Sequence, residues 1–148
     1  MIKYFAYGSN MDMTRLSNRG VNPETRHKGT LKNWKLKFNK KASAGDWSFA
    51  NIEQSEGDSV EGLVFTIKEI DLKLLDKFEG APKHYRREIL EIETDKEAIR
   101  CITYIAQPEH VVEGLLPQKD YIQFLINGAK MLSEEYQEKL LNILPIRS

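Results

Sequence analysis

Tyr4-Phe5-Ala6-Tyr7-Gly8-Ser9-Asn10-Met11 joins an apolar, aromatic strand directly to a Gly-Ser-Asn turn. Glycine tolerates positive φ and lets a ligand approach the main chain, while Ser and Asn favour caps and turns. If Asp12 to Leu16 starts a short helix, the free N–H groups of residues 8 to 11 converge on one spot that favours an anion or oxyanion. The alternative is a plain strand-to-helix turn, which Gly-Ser-Asn by itself also fits.

Outward from this junction, Ile2 to Tyr7 reads as a strand, and the helical turn after it stops near Asn18-Arg19-Gly20. The Trp34-Leu36-Phe38 alternation, interleaved with Lys35 and Lys37, is that of a strand with one wet face, and Asn33 marks a bend or bulge. Ala42 to Trp47 reads as a loop. Phe49 to Ile52 resumes as a short strand, and Ser55-Glu56-Gly57-Asp58 is a hairpin-type turn leading to a strand from Val60 to Ile67. Between Lys68 and Phe78 the period becomes helical, with Ile70, Leu74, Leu75 and Phe78 on one stripe, ended by Gly80 and Pro82. Tyr85 to Thr94 and Arg100 to Ala106 read as another hairpin. In the tail, Tyr121, Phe124, Leu125 and Ala129 form an amphipathic stripe; Ser133 caps a further helix, in which Tyr136, Leu140 and Leu144 point inward. Strands joined mainly as hairpins give an α+β class: a small mixed β-barrel of about six strands, flanked by a few helices including a C-terminal pair.

With 148 residues the chain has the usual size of one domain, so one core and no second domain are expected. The 22 Lys and Arg balance 22 Asp and Glu, so no net field recruits a polyanion and nucleic-acid binding is disfavoured. No apolar run approaches the ~20 residues of a membrane span, and the N-terminus lacks a basic-then-apolar secretion pattern. The single cysteine, Cys101, lies in a strand-like run, reads as a packing residue, and fits a reducing compartment. A soluble cytoplasmic protein is expected.

A second constellation runs Leu75-Asp76-Lys77-Phe78-Glu79-Gly80-Ala81-Pro82, then His84-Tyr85-Arg86-Arg87. Glu79 stands at a helix end between Phe78 and Gly80, where flanking carbon and the negative helix C-terminus both disfavour its ionised form. A carboxyl tuned toward neutral pH suits a general base that takes a proton from an ammonium and returns it to a leaving amine. Its alternative is a surface glutamate paired with Lys83 or Arg86.

Together these segments resemble the gamma-glutamyl cyclotransferase family. Tyr4-Phe5-Ala6-Tyr7-Gly8-Ser9-Asn10 matches that family's N-terminal signature, and Leu75-Asp76-x-x-Glu79-Gly80-x-Pro82-x-x-Tyr85-x-Arg87 is similar to the segment around its catalytic glutamate. Pro117 to Tyr121, Asn127-Gly128-Ala129-Lys130 and Glu135 to Leu140 resemble its C-terminal helices, so the likeness spans nearly the whole chain. The resemblance implies a small mixed β-barrel with peripheral helices. It also implies cleavage of a γ-glutamyl amide by the substrate's own α-amine, which closes a five-membered lactam, 5-oxoproline (pyroglutamate), and expels an amino acid or amine. Glu79 would be the acid/base and Gly8, Ser9 and Asn10 would hold the carboxylate or oxyanion. Tyr7 would wall the pocket, Tyr4, Phe5 and Ala6 would belong to the strand that lines it, and Tyr121 would close over the substrate. Tyr85 and Arg87 would support the Glu79 loop. No metal or other cofactor is called for, and a homodimer is expected because the family includes homodimers.

Other chemistries fit less well. Gly8-Ser9-Asn10 is not a Gly-x-Ser-x-Gly nucleophile elbow, and it lacks the Lys and second glycine of a P-loop. His27, His84 and His110 are scattered without metal-ligand spacing and read as surface side chains. The acid-free run from Arg26 to Lys41 is a solvated strand face or a steering stripe for an anion. Two alternatives stay open: a non-catalytic module that senses a carboxylate or γ-glutamyl metabolite, and a cyclotransferase whose leaving group is a larger amine. The leaving-group wall is expected in the Ala42 to Trp47 loop, a flap candidate, and the segment from Pro108 to Pro117.

Overall fold

The computed structural model describes residues 1–147. Five strands close into a barrel: β1 (Ile2–Ala6), β2 (Thr25–Lys41), β3 (Ser48–Ile67), β4 (Tyr85–Glu93) and β5 (Ala98–Ala106), in the order β1-β3-β2-β4-β5. β1 pairs antiparallel with β3 and parallel with β5, and β4 and β5 form the expected hairpin. Four helices surround the barrel: α1 (Met13–Asn18), α2 (Glu69–Glu79), α3 (Lys119–Gly128) and α4 (Glu134–Leu141). Among the described residues no helix is long and apolar enough to cross a membrane.

There are five strands and not six because Ser55–Asp58 does not close a hairpin. β3 runs unbroken through it, and β2 and β3 form one long antiparallel ribbon. Lys32 faces Ser59 and Trp34 faces Gln54, so the four residues 55–58 bulge out opposite Asn33 alone. Asn33 adopts positive φ (67°) and its Oδ1 accepts from the Gly57 N–H, at 3.1 Å, while Gly57 has φ 88°. A bulge spends the same residues as a turn and leaves the ladder running, so the two look alike in sequence.

β1 alternates between two cores. Phe5 and Tyr7 point into the barrel with Leu31, Ile52, Val64, Ile92 and Cys101. Tyr4 and Ala6 point outward, where Met11, Leu16, Leu72, Leu75, Leu125 and Leu140 pack the helices onto the barrel. Cys101 is buried, free, and its thiol is pushed up to about 11 by burial.

The helical stripes are rotated from the sequence expectation. On α2 the buried residues are Asp71, Leu72 and Leu75, while Ile70 and Phe78 are exposed. Asp71 is buried because it serves the helix start, accepting from the Lys68 N–H at 3.3 Å. Leu144 lies beyond α4 and is exposed, whereas Ser133 caps α4 by accepting from the Tyr136 N–H. α3 buries Ile122 and Leu125, and Gly128 brings it against the turn after β1, because a Cβ there would collide with Met11.

Candidate active site

After β1, Ser9–Met11 makes one 3-10 turn and Asp12 caps α1, its side chain accepting from the Arg15 N–H. α1 therefore starts one residue later than the sequence reading. The Met11 N–H is consumed by the Gly8 carbonyl, at 3.1 Å. The N–H groups of Gly8, Ser9 and Asn10 make no hydrogen bond to protein among the described residues, so three amides and not four are free at the turn.

The turn borders a cavity of about 420 Å³, a size suited to a small molecule. Tyr4, Phe5, Tyr7, Gly8, Ser9, Asn10, Glu79 and Tyr121 all line it. Ala6 does not: it is buried in the outer core on the same strand face as Tyr4, whose long side chain carries its hydroxyl to Asn10 at the cavity edge.

Glu79 is the last residue of α2, and Gly80 ends the helix in the left-handed conformation (φ 63°), open to Gly at no steric cost. This termination turns Glu79 into the cavity, where it is the only carboxylate among the lining residues. It pairs with neither Lys83 nor Arg86; Arg86 bonds Glu88 and the Ala106 carbonyl. Glu79 Oε1 instead accepts from Asn10 Nδ2 at 3.0 Å, and the same amide group donates to the Tyr4 hydroxyl at 3.0 Å. Arg19 donates to Asn10 Oδ1 at 2.9 Å and Arg15 Nε to Ser9 Oγ at 3.0 Å. Burial raises the Glu79 carboxyl above its usual range, against the pull of Arg19, Arg15, the Asn10 hydrogen bond and Lys40. A proton carrier working near neutral pH needs such a balance.

Tyrosines frame the opposite wall. Tyr85 donates to the Ala50 carbonyl at 2.7 Å, the Ala50 N–H donates to the Tyr121 hydroxyl at 3.1 Å, and Tyr7 donates to the Tyr104 carbonyl at 2.5 Å. Burial pushes Tyr121 up to about 12 and Tyr7 and Tyr85 well above their ordinary value. All three stay neutral. Tyr85 thus faces the cavity itself, while Arg87 braces α2 from outside by binding Asp76, which also accepts from Tyr104.

Several lining residues went unread in the sequence. Arg15 lies in α1 and Arg19 caps its C-terminus, and the helix's 3.6-residue period brings positions four apart to one face; that spacing was the available signal. Lys40 belongs to the basic run read as a solvated strand face, yet it is 4% exposed. His84 is half-buried in the wall and stacks on His110, with ring centroids 4.3 Å apart. Ala42, Ser43, Ala44 and Trp47 line the cavity as expected of that loop. None of residues 108 to 117 does; this segment buttresses from behind, Val112 donating to the Asn39 carbonyl and Ser48 to that of Leu116.

Residues 4–123 match the sequence model of the family described as "Gamma-glutamyl cyclotransferase, AIG2-like". The chain is 32% identical to the human protein named gamma-glutamylcyclotransferase, over 96% of this chain and 78% of that protein. It is 30% identical to the putative gamma-glutamylcyclotransferase YkqA of Bacillus subtilis, over 97% of this chain and 53% of the other. A solved gamma-glutamyl cyclotransferase superposes with a TM-score of 0.85 at 30% identity, covering 99% of this chain and 90% of that one.

Proposed function

The chain belongs to the gamma-glutamyl cyclotransferase, AIG2-like family and is an enzyme of that activity, and we propose that Glu79 moves the protons of its reaction while Gly8, Ser9 and Asn10 hold the substrate. The reaction forms a bond between the substrate's α-nitrogen and the carbonyl carbon of its γ-amide and breaks that carbon's bond to the departing nitrogen, giving 5-oxoproline and a free amino acid or amine. An internal nucleophile of this kind already has an effective molarity on the order of 10⁵ M or more when well oriented. The protein has to orient it, accept charge and relay protons.

Two protons leave the attacking nitrogen, from ammonium to lactam N–H, and two arrive at the departing one. A carboxyl that alternates between its charged and neutral forms serves both transfers, and Glu79 is poised for this by opposed burial and cations. The free amides at Gly8, Ser9 and Asn10 receive the α-carboxylate or the oxyanion of the tetrahedral adduct, a contribution of ~3 kcal/mol per donor in comparable holes. Tyr4, Phe5, Tyr7 and Tyr121 shape the walls, with Ala6 behind them in the core. The observation that carries this assignment is the 3.0 Å bond from Asn10 to Glu79, which ties the cavity's carboxylate to the turn. We further place the enzyme in the cytoplasm, as one domain that forms a homodimer; the reduced, buried Cys101 fits the first, and light scattering checks the last.

Incubation with a panel of γ-glutamyl dipeptides and γ-glutamyl amines should release 5-oxoproline, and absence of product from every member rejects the reading. Glu79→Gln should still bind substrate by calorimetry and lose about 10³-fold in kcat, within the range for general acid–base groups. Full activity in that variant removes Glu79 from the role.

A further inference from the structure

Any γ-glutamyl amide presents an α-ammonium and an α-carboxylate, whatever its leaving group. The charged residues lining the cavity are Arg15, Arg19, Lys40, Lys77 and Glu79. Glu79 answers the ammonium, and the Gly8 to Asn10 amides, with Arg15 and Arg19 bonded to that turn, answer the carboxylate. Lys40 has no such counterpart.

Lys40 sits on β2, at the far wall. Between Lys37 and Lys40 the ribbon register shifts: Lys37 faces Asn51, and Lys40, not Asn39, faces Phe49. In an unbroken ladder residues three apart point to opposite faces; this shift puts both lysines on one, and bulges are a common means of re-aiming side chains beside active sites. Lys40 is 4% exposed, and its Nζ lies 5.9 Å from the Phe49 ring centre and 5.7 Å from that of Tyr85. Among the described residues no carboxylate comes within ion-pair distance of it. Its hydrogen-bond contact is with His84 Nδ1 at 3.0 Å. His84 is held below its ordinary value by burial and by Lys40, so the ring is neutral and accepts. An ammonium has three donors, so two remain free. A buried cation without an anionic partner is costly unless a ligand supplies one.

We infer that Lys40, steadied by His84, is a specificity-determining residue that receives a carboxylate on the departing amine, so that this enzyme selects γ-glutamyl amino acids over γ-glutamyl amines. The inference rests on the cyclotransferase reading above and adds to it the wall that chooses the leaving group. The geometry divides the work. Glu79 and the turn handle the part common to all substrates, and Lys40 reads the variable part.

The test uses two substrates that differ only in the charge at issue, γ-glutamyl-L-alanine and γ-glutamyl-L-alaninamide, with 5-oxoproline as the readout. The wild-type enzyme should favour the acid on the order of 30-fold in kcat/KM, mostly through KM, as expected for a hydrogen bond to a charged group. Lys40→Met should bring that preference close to one, and Lys40→Arg should keep most of it. The ratio is diagnostic because an effect of Lys40 on Glu79 alone lowers both substrates equally. Equal use of the two substrates by wild type overturns the inference without recourse to any variant, and so does an unchanged preference in Lys40→Met. Turnover of neither substrate, together with no 5-oxoproline from any member of the wider panel, is a separate result, which rejects the cyclotransferase reading and with it the role of Lys40.

Discussion

The two walls of the cavity are built differently. The wall made by β1, its turn and α1 is cross-linked: Arg19 donates to Asn10, Asn10 to both Glu79 and Tyr4, and Arg15 to Ser9. Among the polar side chains lining it, Tyr7 is fixed by the Tyr104 carbonyl on β5 and the others by a neighbour a few residues away or by the helix end opposite. The ribbon wall, from Lys40 through the Ala42 to Trp47 loop to Phe49, has aromatic and small side chains and one side-chain hydrogen bond into the cavity, from Lys40 to His84. On the proposed assignment of Glu79 and the turn, the first wall is preorganised for charge that appears in every turnover, which is where preorganisation is most effective. The second is tied mainly through Lys41, which donates to the Ala42 and Gly45 carbonyls, and if Lys40 reads the leaving group as proposed, substrate choice can vary there at little cost to the chemistry.

This contrast can be broken by substitutions on either side. Asn10→Ala removes the shared partner of Glu79, Tyr4 and Arg19, and kcat should fall on the order of 30-fold, as for loss of hydrogen bonds to charged groups; a loss below about threefold would show that the cross-linking is incidental. Arg19→Met should act through pH. Burial holds the Glu79 carboxyl high and Arg19 is the largest influence pulling it down, so without Arg19 it titrates at higher pH. The ionised form is the base, hence the acid limb of the kcat/KM profile should move to higher pH. A limb that stays in place, or moves to lower pH, would separate Arg19 from the proton carrier. On the ribbon wall, Trp47→Phe should change kcat by no more than about twofold, the usual scale for a substitution outside fixed polar networks. A larger effect would give the loop a part in the chemistry.

The cradle wall was largely legible in the sequence and the ribbon wall was not, for a physical reason. Gly8, Ser9 and Asn10 announce a turn, and Glu79 followed by Gly80 announces a helix end, because the backbone preferences of Gly, Ser and Asn are local. Arg19 and Arg15 follow from helical spacing once α1 is placed. Lys40 follows from nothing local. Its position is decided by a one-residue register shift against β3, and a strand's pairing partner is not encoded in its own period-2 pattern. The same cause merged two expected strands at Ser55–Asp58, where Asn33 on the partner strand accommodates the bulge. The misread face of α2 has another origin: Phe78 is apolar yet exposed, lying under the Arg19 guanidinium at 4.7 Å, so its hydrophobicity serves a cation and not the core.

The burial of Cys101 has a practical consequence. The chain's sole sulfhydryl is sealed inside the barrel and protonated at physiological pH, so maleimide reagents find nothing to modify on the native enzyme. A cysteine introduced at Ser43 would be the one labelling handle, and a fluorophore there could follow the rim of the cavity through a catalytic cycle without background.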